Sequence, residues 1–203
     1  VSVSWNKYYD YGGITEICKK ISAAYPDLVK LESIGKSFKG KDMWVLTITD
    51  FKTGNAEKKP GIYIDGNIHS NEVQGSEFAL YTAWYLTETF ADTKFIRELL
   101  ADKTFYIIPT INPDGRDRYF HEANNGSTPR SGVIPVDNDR DGLINEDGFD
   151  DLDKDGNIVT MRRKSSNGRY RIDPTFPQRM IQVGPDEKGD YELLGQEGFD
   201  NDG

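Results

Sequence analysis

Apolar residues recur at helical spacing through Ile14, Ile17, Cys18, Ile21 and Tyr25, and Pro26 closes the run. This predicts an amphipathic helix over 14–25, with Cys18 on its inner face as a small buried hydrophobe rather than a reactive thiol. The period then shortens. Residues 29–34, 43–49 and 61–64 are short runs rich in β-branched and aromatic side chains, separated by turn signals at Gly35, Gly40 and Gly54, and read as strands. The first two form an antiparallel pair, because the connection between them is too short for a crossover. A helix is predicted over 76–89 with Phe78, Tyr81, Trp84 and Tyr85 as its core face, and another over 93–100 capped by Asp92. Residues 105–111 are almost continuously apolar, as in a strand covered on both faces. Beyond Pro113 no long apolar period recurs and 12 of the 20 glycines are found, so this part reads as loop-rich.

Composition narrows the picture. A hydrophobic share of 36% and an aromatic share of 12% in 203 residues are enough for a core, which excludes a wholly disordered chain. No apolar run approaches the ~20 residues of a membrane span. The opening VSVSWNKYYD lacks a basic-then-apolar leader, so an export signal is expected to have been removed or never to have existed. The single cysteine rules out an internal disulfide framework and a cysteine-based zinc site. The net charge of −9 is local: nine acids against Arg140 and Lys154 between Asp137 and Asp155 give −7 there, leaving −2 elsewhere. Without a basic stripe, nucleic-acid binding is not expected.

The stretch that carries chemistry is IDGNIHSNEVQGSEF. His69 and Glu72 stand three apart where a strand ends and a helix is about to begin, a placement that can turn an imidazole and a carboxylate toward one point. A neutral ring nitrogen and a carboxylate oxygen are half of a hydrolytic zinc shell; a catalytic zinc takes three protein ligands and leaves a position for water.

Taken in order, Tyr25-Pro26-Asp27-Leu28 after the first helix, Ile34-Gly35-Lys36-Ser37-Phe38-Lys39-Gly40, the His69/Glu72 pair and Asn112-Pro113-Asp114-Gly115 resemble the opening two-thirds of a zinc carboxypeptidase catalytic domain of the carboxypeptidase A and T kind, over residues 8–118. The resemblance implies an α/β fold with a mixed, eight-stranded β-sheet flanked by helices; the residue pattern alone reaches a mixed sheet with helices. It implies His69 and Glu72 as two zinc ligands and a peptide or protein C-terminus as substrate. It also implies an oxyanion-stabilising arginine, for which Arg162 in Thr160-Met161-Arg162-Arg163-Lys164 is the candidate and Arg163 the alternative. The third ligand, the Asn-Arg carboxylate clamp, the tyrosine and the catalytic glutamate of that family have no match after Arg163. His121 as third ligand reads better as a surface histidine, and Glu77 as base reads better as solvated helix face. The expectation is therefore the N-terminal part of a longer catalytic domain (1–120) followed by a loop-rich insertion (121–203), inactive by itself.

The acidic stretch has its own pattern. Asp137, Asp139, Asp141 before Gly142, and Asp151, Asp153, Asp155 before Gly156, place oxygens at positions 1, 3 and 5 ahead of a turn glycine, as in the front half of an EF-hand-type calcium loop. Gly148 and Arg162 stand where the closing glutamate belongs, so closure falls to Glu146, Asp147, Asp150 or a neighbouring loop, and Asp200-Asn201-Asp202-Gly203 begins a third repeat. The loops resemble thrombospondin- or dockerin-type repeats. Calcium of extracellular affinity implies a secreted, periplasmic or cell-surface protein. Two other functions remain open: a non-catalytic calcium-stabilised module of the same fold, or a zinc amide hydrolase acting on acyl-amino acids or cell-wall peptides. Oligomeric state leaves no trace in the sequence.

Overall fold

Helix α1 covers Tyr11–Ala24 and starts ahead of its first apolar residue, because Asp10 caps it: the Asp10 carboxylate accepts the Gly13 N–H at 2.9 Å, satisfying one of the open amides of the first turn. Its inner face is Ile14, Ile17, Cys18 and Ile21, all buried as expected. This computed structural model describes residues 1–125, 130, 132–137 and 139–198. They fall into two units. The first holds Val1–Glu122, Arg130 and residues 132–134; the second holds Ala123–Asn125, residues 135–137 and 139–198. Among the described residues no helix is long and apolar enough to cross a membrane.

The sheet of the first unit has the order β1-β2-β4-β3, from β1 (Val29–Lys36), β2 (Asp42–Ile48), β3 (Gly61–Asp65) and β4 (Thr104–Ile108). β1 and β2 pair antiparallel from Val29↔Ile48 onward, as their short connection requires, while β3 and β4 run parallel. The sheet is mixed, and helices flank it: α1 packs on β1 and β2, and α2 (Gln74–Glu88) on β2, β3 and β4. On β4, Thr104, Phe105, Ile107 and Ile108 are all buried, so both of its faces are covered.

Helix α2 corrects one expectation. The period is right, but of the four expected core residues only Trp84, half-buried, packs against the core. Ser76, Ala79, Leu80, Ala83 and Leu86 are buried, whereas Phe78 is 72% exposed and Tyr81 and Tyr85 are more than 40% exposed. Two apolar stripes share the helical spacing, and the one with small side chains takes the sheet because it lets the helix axis come close. The outer rings form their own cluster, with Trp5 edge-on to Tyr81 at 5.1 Å and to Trp84 at 5.7 Å. Helix α3 (Lys94–Asp102) also differs: Thr93, not Asp92, takes its cap position, with no side-chain hydrogen bond.

Two elements lie where the sequence reads as loop. Asn112-Pro113-Asp114-Gly115 opens helix α4 (Pro113–His121), with the Asn112 side chain accepting the Gly115 N–H at 2.9 Å and proline in the first turn, where its missing N–H costs nothing. The second unit contains an antiparallel sheet of order β5-β8-β6-β7, from β5 (Thr160–Gly168), β6 (Tyr170–Ile172), β7 (Met180–Gln182) and β8 (Gly189–Gln196). Its strands are mostly polar and exposed, so no alternation announces them. Gly168 and Gly189 let them cross closely: a Cβ on either would fall 2.4 Å from the backbone of Tyr191 or Tyr170.

Candidate metal centre

The parallel strand β3 ends at Asp65, and the chain turns into α2 through residues 66–73. Two glycines make the turn possible. A Cβ on Gly66 would lie 2.4 Å from the Gly75 carbonyl oxygen, so strand end and helix start touch backbone to backbone. Asn67 follows with φ of 55°, a left-handed conformation that asparagine tolerates. Its side-chain amide donates to the His69 carbonyl at 2.7 Å and the Ser70 carbonyl at 3.3 Å, fixing the loop from within. In this loop the Glu72 N–H bonds the His69 carbonyl at 3.2 Å, and His69 Nδ1 lies 2.9 Å from Glu72 Oε2. The pair that the spacing singled out therefore does meet, half-exposed, at the carboxyl end of a sheet strand.

A residue the sequence reading passed over holds this loop in place. Arg116, on α4, is fully buried. Its Nη1 donates to Asn67 Oδ1 at 3.1 Å, to the Val73 carbonyl at 3.0 Å and to Ser76 Oγ at 2.9 Å. Its Nε donates to the Tyr9 carbonyl at 2.7 Å and its Nη2 to Glu77 Oε1 at 2.7 Å. Burial pushes the Arg116 pKa down and Glu77 opposes it. Glu77 is thus not solvated helix face. It is the counter-ion of a buried arginine and also accepts the Tyr9 N–H at 2.9 Å. Only the tertiary fold joins these residues, 39 apart in the chain. The same helix ties in the Ile34–Gly40 motif, since buried Asp114 accepts the Ser37 hydroxyl at 2.9 Å and the Lys39 N–H at 2.8 Å.

The donor set at the loop suits a zinc ion in two positions, one imidazole nitrogen and one carboxylate oxygen close enough to share it. No third His, Cys or carboxylate joins the pair among the described residues. Arg130 is the nearest cation, with Nη2 3.0 Å from His69 Nδ1 and Nη1 3.4 Å from Glu72 Oε1. His121 ends α4, not a loop, and is exposed with Nε2 3.3 Å from Asp10. An apolar cleft of about 600 Å³ beside Trp5, Phe78 and Tyr81 has neither His69 nor Glu72 in its wall.

In the second unit Arg162 and Arg163 differ in partner. Arg163 is ion-paired with Glu192, Nε to Oε1 at 2.7 Å. Arg162 stacks over the Tyr191 ring at 5.1 Å and donates to Met180 Sδ at 2.9 Å, beside a cleft of about 410 Å³. No carboxylate pairs with it among the described residues.

The acidic loops repeat in structure as well as in sequence. Arg140 and Lys154 take positive φ at the fourth position (71° and 63°), and Gly142 and Gly156 at the sixth (99° and 86°). Carboxylate oxygens of Asp137, Asp139 and Asp141 lie within 4.8 Å of one another, and Asp139 is within the same distance of Glu146 and Asp147. In the second loop Asp151 and Asp153 gather with Glu197, which sequence reading had no means to find. Glu197 follows β8, and it accepts the Leu152 N–H at 2.9 Å and the Asp153 N–H at 3.2 Å. Asp155 stands outside that group, its Oδ1 accepting the Asn157 N–H at 2.8 Å. The third repeat, from Asp200, lies outside the described residues.

The chain is 34% identical over 114 residues to carboxypeptidase B of Astacus astacus, covering 56% of this chain and 35% of that protein. It is 29% identical over 147 residues to the carboxypeptidase N catalytic chain of Rattus norvegicus, covering 72% and 31%. The chain thus spans about a third of these relatives, and a tenth of Drosophila melanogaster carboxypeptidase D. Among solved structures it is similar to thrombin-activatable fibrinolysis inhibitor (TM-score 0.57, 23% identity, 69% of this chain and 34% of that one) and to carboxypeptidase A from Helicoverpa armigera (TM-score 0.52, 24% identity, 59% and 28%), which establishes the α/β fold. The sequence model of the zinc carboxypeptidases, peptidase family M14, matches residues 14–175, a span that takes in the helix, the sheet, the His69–Glu72 loop and the arginines of β5, and the chain therefore belongs to that family.

Proposed function

We propose that this chain carries part of the active site of a zinc-dependent peptidase that hydrolyses C-terminal peptide bonds, with His69 and Glu72 as two of the metal's protein ligands. The 2.9 Å approach of Nδ1 and Oε2 at the end of β3 supports this reading above all. When bound, zinc polarises a carbonyl and lowers the pKa of a bound water to about 7. The chain's own contribution is positioning. Asn67 and Arg116 hold the loop so that both ligands face one point. Of the two arginines of β5, Arg162 is the candidate oxyanion donor, because its charge is open to a ligand whereas that of Arg163 is already matched by Glu192. One such donor is typically worth ~3–4 kcal/mol in the transition state. A polypeptide C-terminus is the substrate, and an extracellular or periplasmic setting fits both the substrate and the acidic loops.

Two ligands hold zinc weakly, so the 203-residue chain is expected to bind zinc loosely and to show no turnover of a blocked dipeptide. Calorimetric zinc titration tests the ligand pair: His69→Ala and Glu72→Ala each abolish the binding heat. Zinc bound as well by the double variant as by the parent would overturn the assignment. Turnover by the 203-residue chain alone would refute the dependence on further ligands.

A further inference from the structure

We infer that the loop from Asp137 to Asp147 is a calcium site closed by Asp147. The acids alone would not establish this, since exposed acidic loops are common in the absence of any ion. Asp147 is different. It is 2% exposed, and its Oδ2 is shut off from water with no hydrogen-bond partner. A buried carboxylate oxygen without a donor is among the costliest groups a fold can hold. Anionic groups crowd it: Asp139 and Glu146 bring carboxylate oxygens within 4.8 Å, and Asp139 is shared with Asp137 and Asp141. Burial, then the charges of Asp139, Asp141 and Asp137, push its pKa up, against the opposing pull of the Asp139 backbone N–H. A cation at the centre of these oxygens relieves every one of these conflicts.

The donor set selects the ion. All candidates are carboxylate oxygens, with no imidazole or thiolate, which disfavours zinc and other soft metals. Oxygens spread up to 4.8 Å apart on an irregular loop fit the ~2.3–2.6 Å bonds and six to eight ligands of calcium. Magnesium demands a tighter octahedron and retains its water. The turn that presents them is preset, with Arg140 N–H donating to Asp137 Oδ1 at 2.6 Å and Asp141 N–H to Asp139 Oδ1 at 3.0 Å. Asp147, six residues beyond Asp141, takes the place of the glutamate that a full EF-hand loop carries one position later, where this chain has Gly148. The inference is independent of the zinc reading, since no residue is shared.

The experiment is calorimetric calcium titration of the zinc-free 203-residue chain, with thermal unfolding at each end of the titration. The parent is expected to bind calcium with Kd at or below about 10⁻³ M and to melt higher when loaded. Asp147→Asn is expected to lose one bound ion, to lose that part of the melting shift, and to melt no lower than the parent without calcium, because the amide removes a buried charge. A merely structural aspartate would give the opposite sign in that last measurement. Should Asp147→Asn fail to fold, Asp139→Asn, at a half-buried position, carries the same test. No binding at about 10 mM calcium, equal binding of magnesium, or an Asp147→Asn protein that titrates like the parent each overturn the inference.

Discussion

Replacing Arg116 by methionine tests whether the metal-ligand loop is held from beneath. Methionine is shorter but of similar volume, so the loss is mainly that of the guanidinium charge and its hydrogen bonds. Arg116 is fully buried and Glu77 only 13% exposed, so solvent screens the pair little. Removing one partner of such a pair costs about 3–5 kcal/mol, because the remaining carboxylate is left charged and unpaired. Asn67, Ser76 and the Tyr9 and Val73 carbonyls lose donors too, which places the effect toward the upper end. At about 4 °C per kcal/mol for a unit of this size, the melting temperature falls by roughly 20 °C. Trp5, Trp44 and Trp84 all lie in the first unit, so tryptophan fluorescence during urea unfolding reports that unit without interference from the second. Adding Glu77→Gln to Arg116→Met removes the stranded charge and is expected to recover about half of the loss, so that the coupling in the double-mutant cycle, which adds the cost of Glu77→Gln alone, is at least about 2 kcal/mol. A coupling within about 0.5 kcal/mol of zero, or a single-variant cost below about 1 kcal/mol, would refute the argument.

Other outcomes follow from the same contacts. Cys18 is fully buried, and burial pushes its thiol up to about 12, so a disulfide reagent is expected to label it only when urea unfolds the protein; rapid labelling of the folded chain would contradict its place in the core. Gly66→Ala drives a methyl into the Gly75 carbonyl and is expected to destabilise the first unit by several kcal/mol and to abolish zinc binding, whereas Gly40→Ala, where a Cβ meets nothing within 4 Å, costs only its left-handed strain of about 1 kcal/mol in urea unfolding. Asp147 has a raised pKa in the fold, so its contribution to stability is full below the ordinary carboxylate range and is lost as pH rises through that raised value. The calcium-free second unit is therefore expected to lose hydrogen-exchange protection around 139–153 as pH rises through this window, after correction for intrinsic rates, and added calcium reverses the trend; protection that increases with pH in the calcium-free protein would contradict it.

Much was legible in the sequence where local pattern and tertiary environment agree. The 3.6-residue period of α1, the short antiparallel β1–β2 pair and the apolar β4 each need only their own residues to be recognised, and all three are in place. The His69–Glu72 pair was legible as a spacing at a strand end, whereas the loop that turns both side chains to one point is set by Asn67 and by Arg116 from α4. The choice of core face on α2 was not: Phe78, Tyr81 and Tyr85 obey the same spacing as Ala79, Leu80 and Ala83, and only the approach of the sheet decides for the smaller set. Helix α4 carried its own signals in Asn112 and Pro113, but its polar surface hid them.

What the sequence by itself determined, then, are the features whose physics is local: periodicity, turn glycines and the spacing of donors along the acidic loops. What only the tertiary structure decided are the partners of buried charge. Arg116 meets Glu77 from another helix, and Glu197 closes on the loop of Asp151 and Asp153 from 44 residues away. Asp147 is enclosed with one oxygen unmatched. A charge leaves water only where the folded chain supplies a counter-charge or a place for an ion, and that supply comes from distant segments that no window of sequence contains.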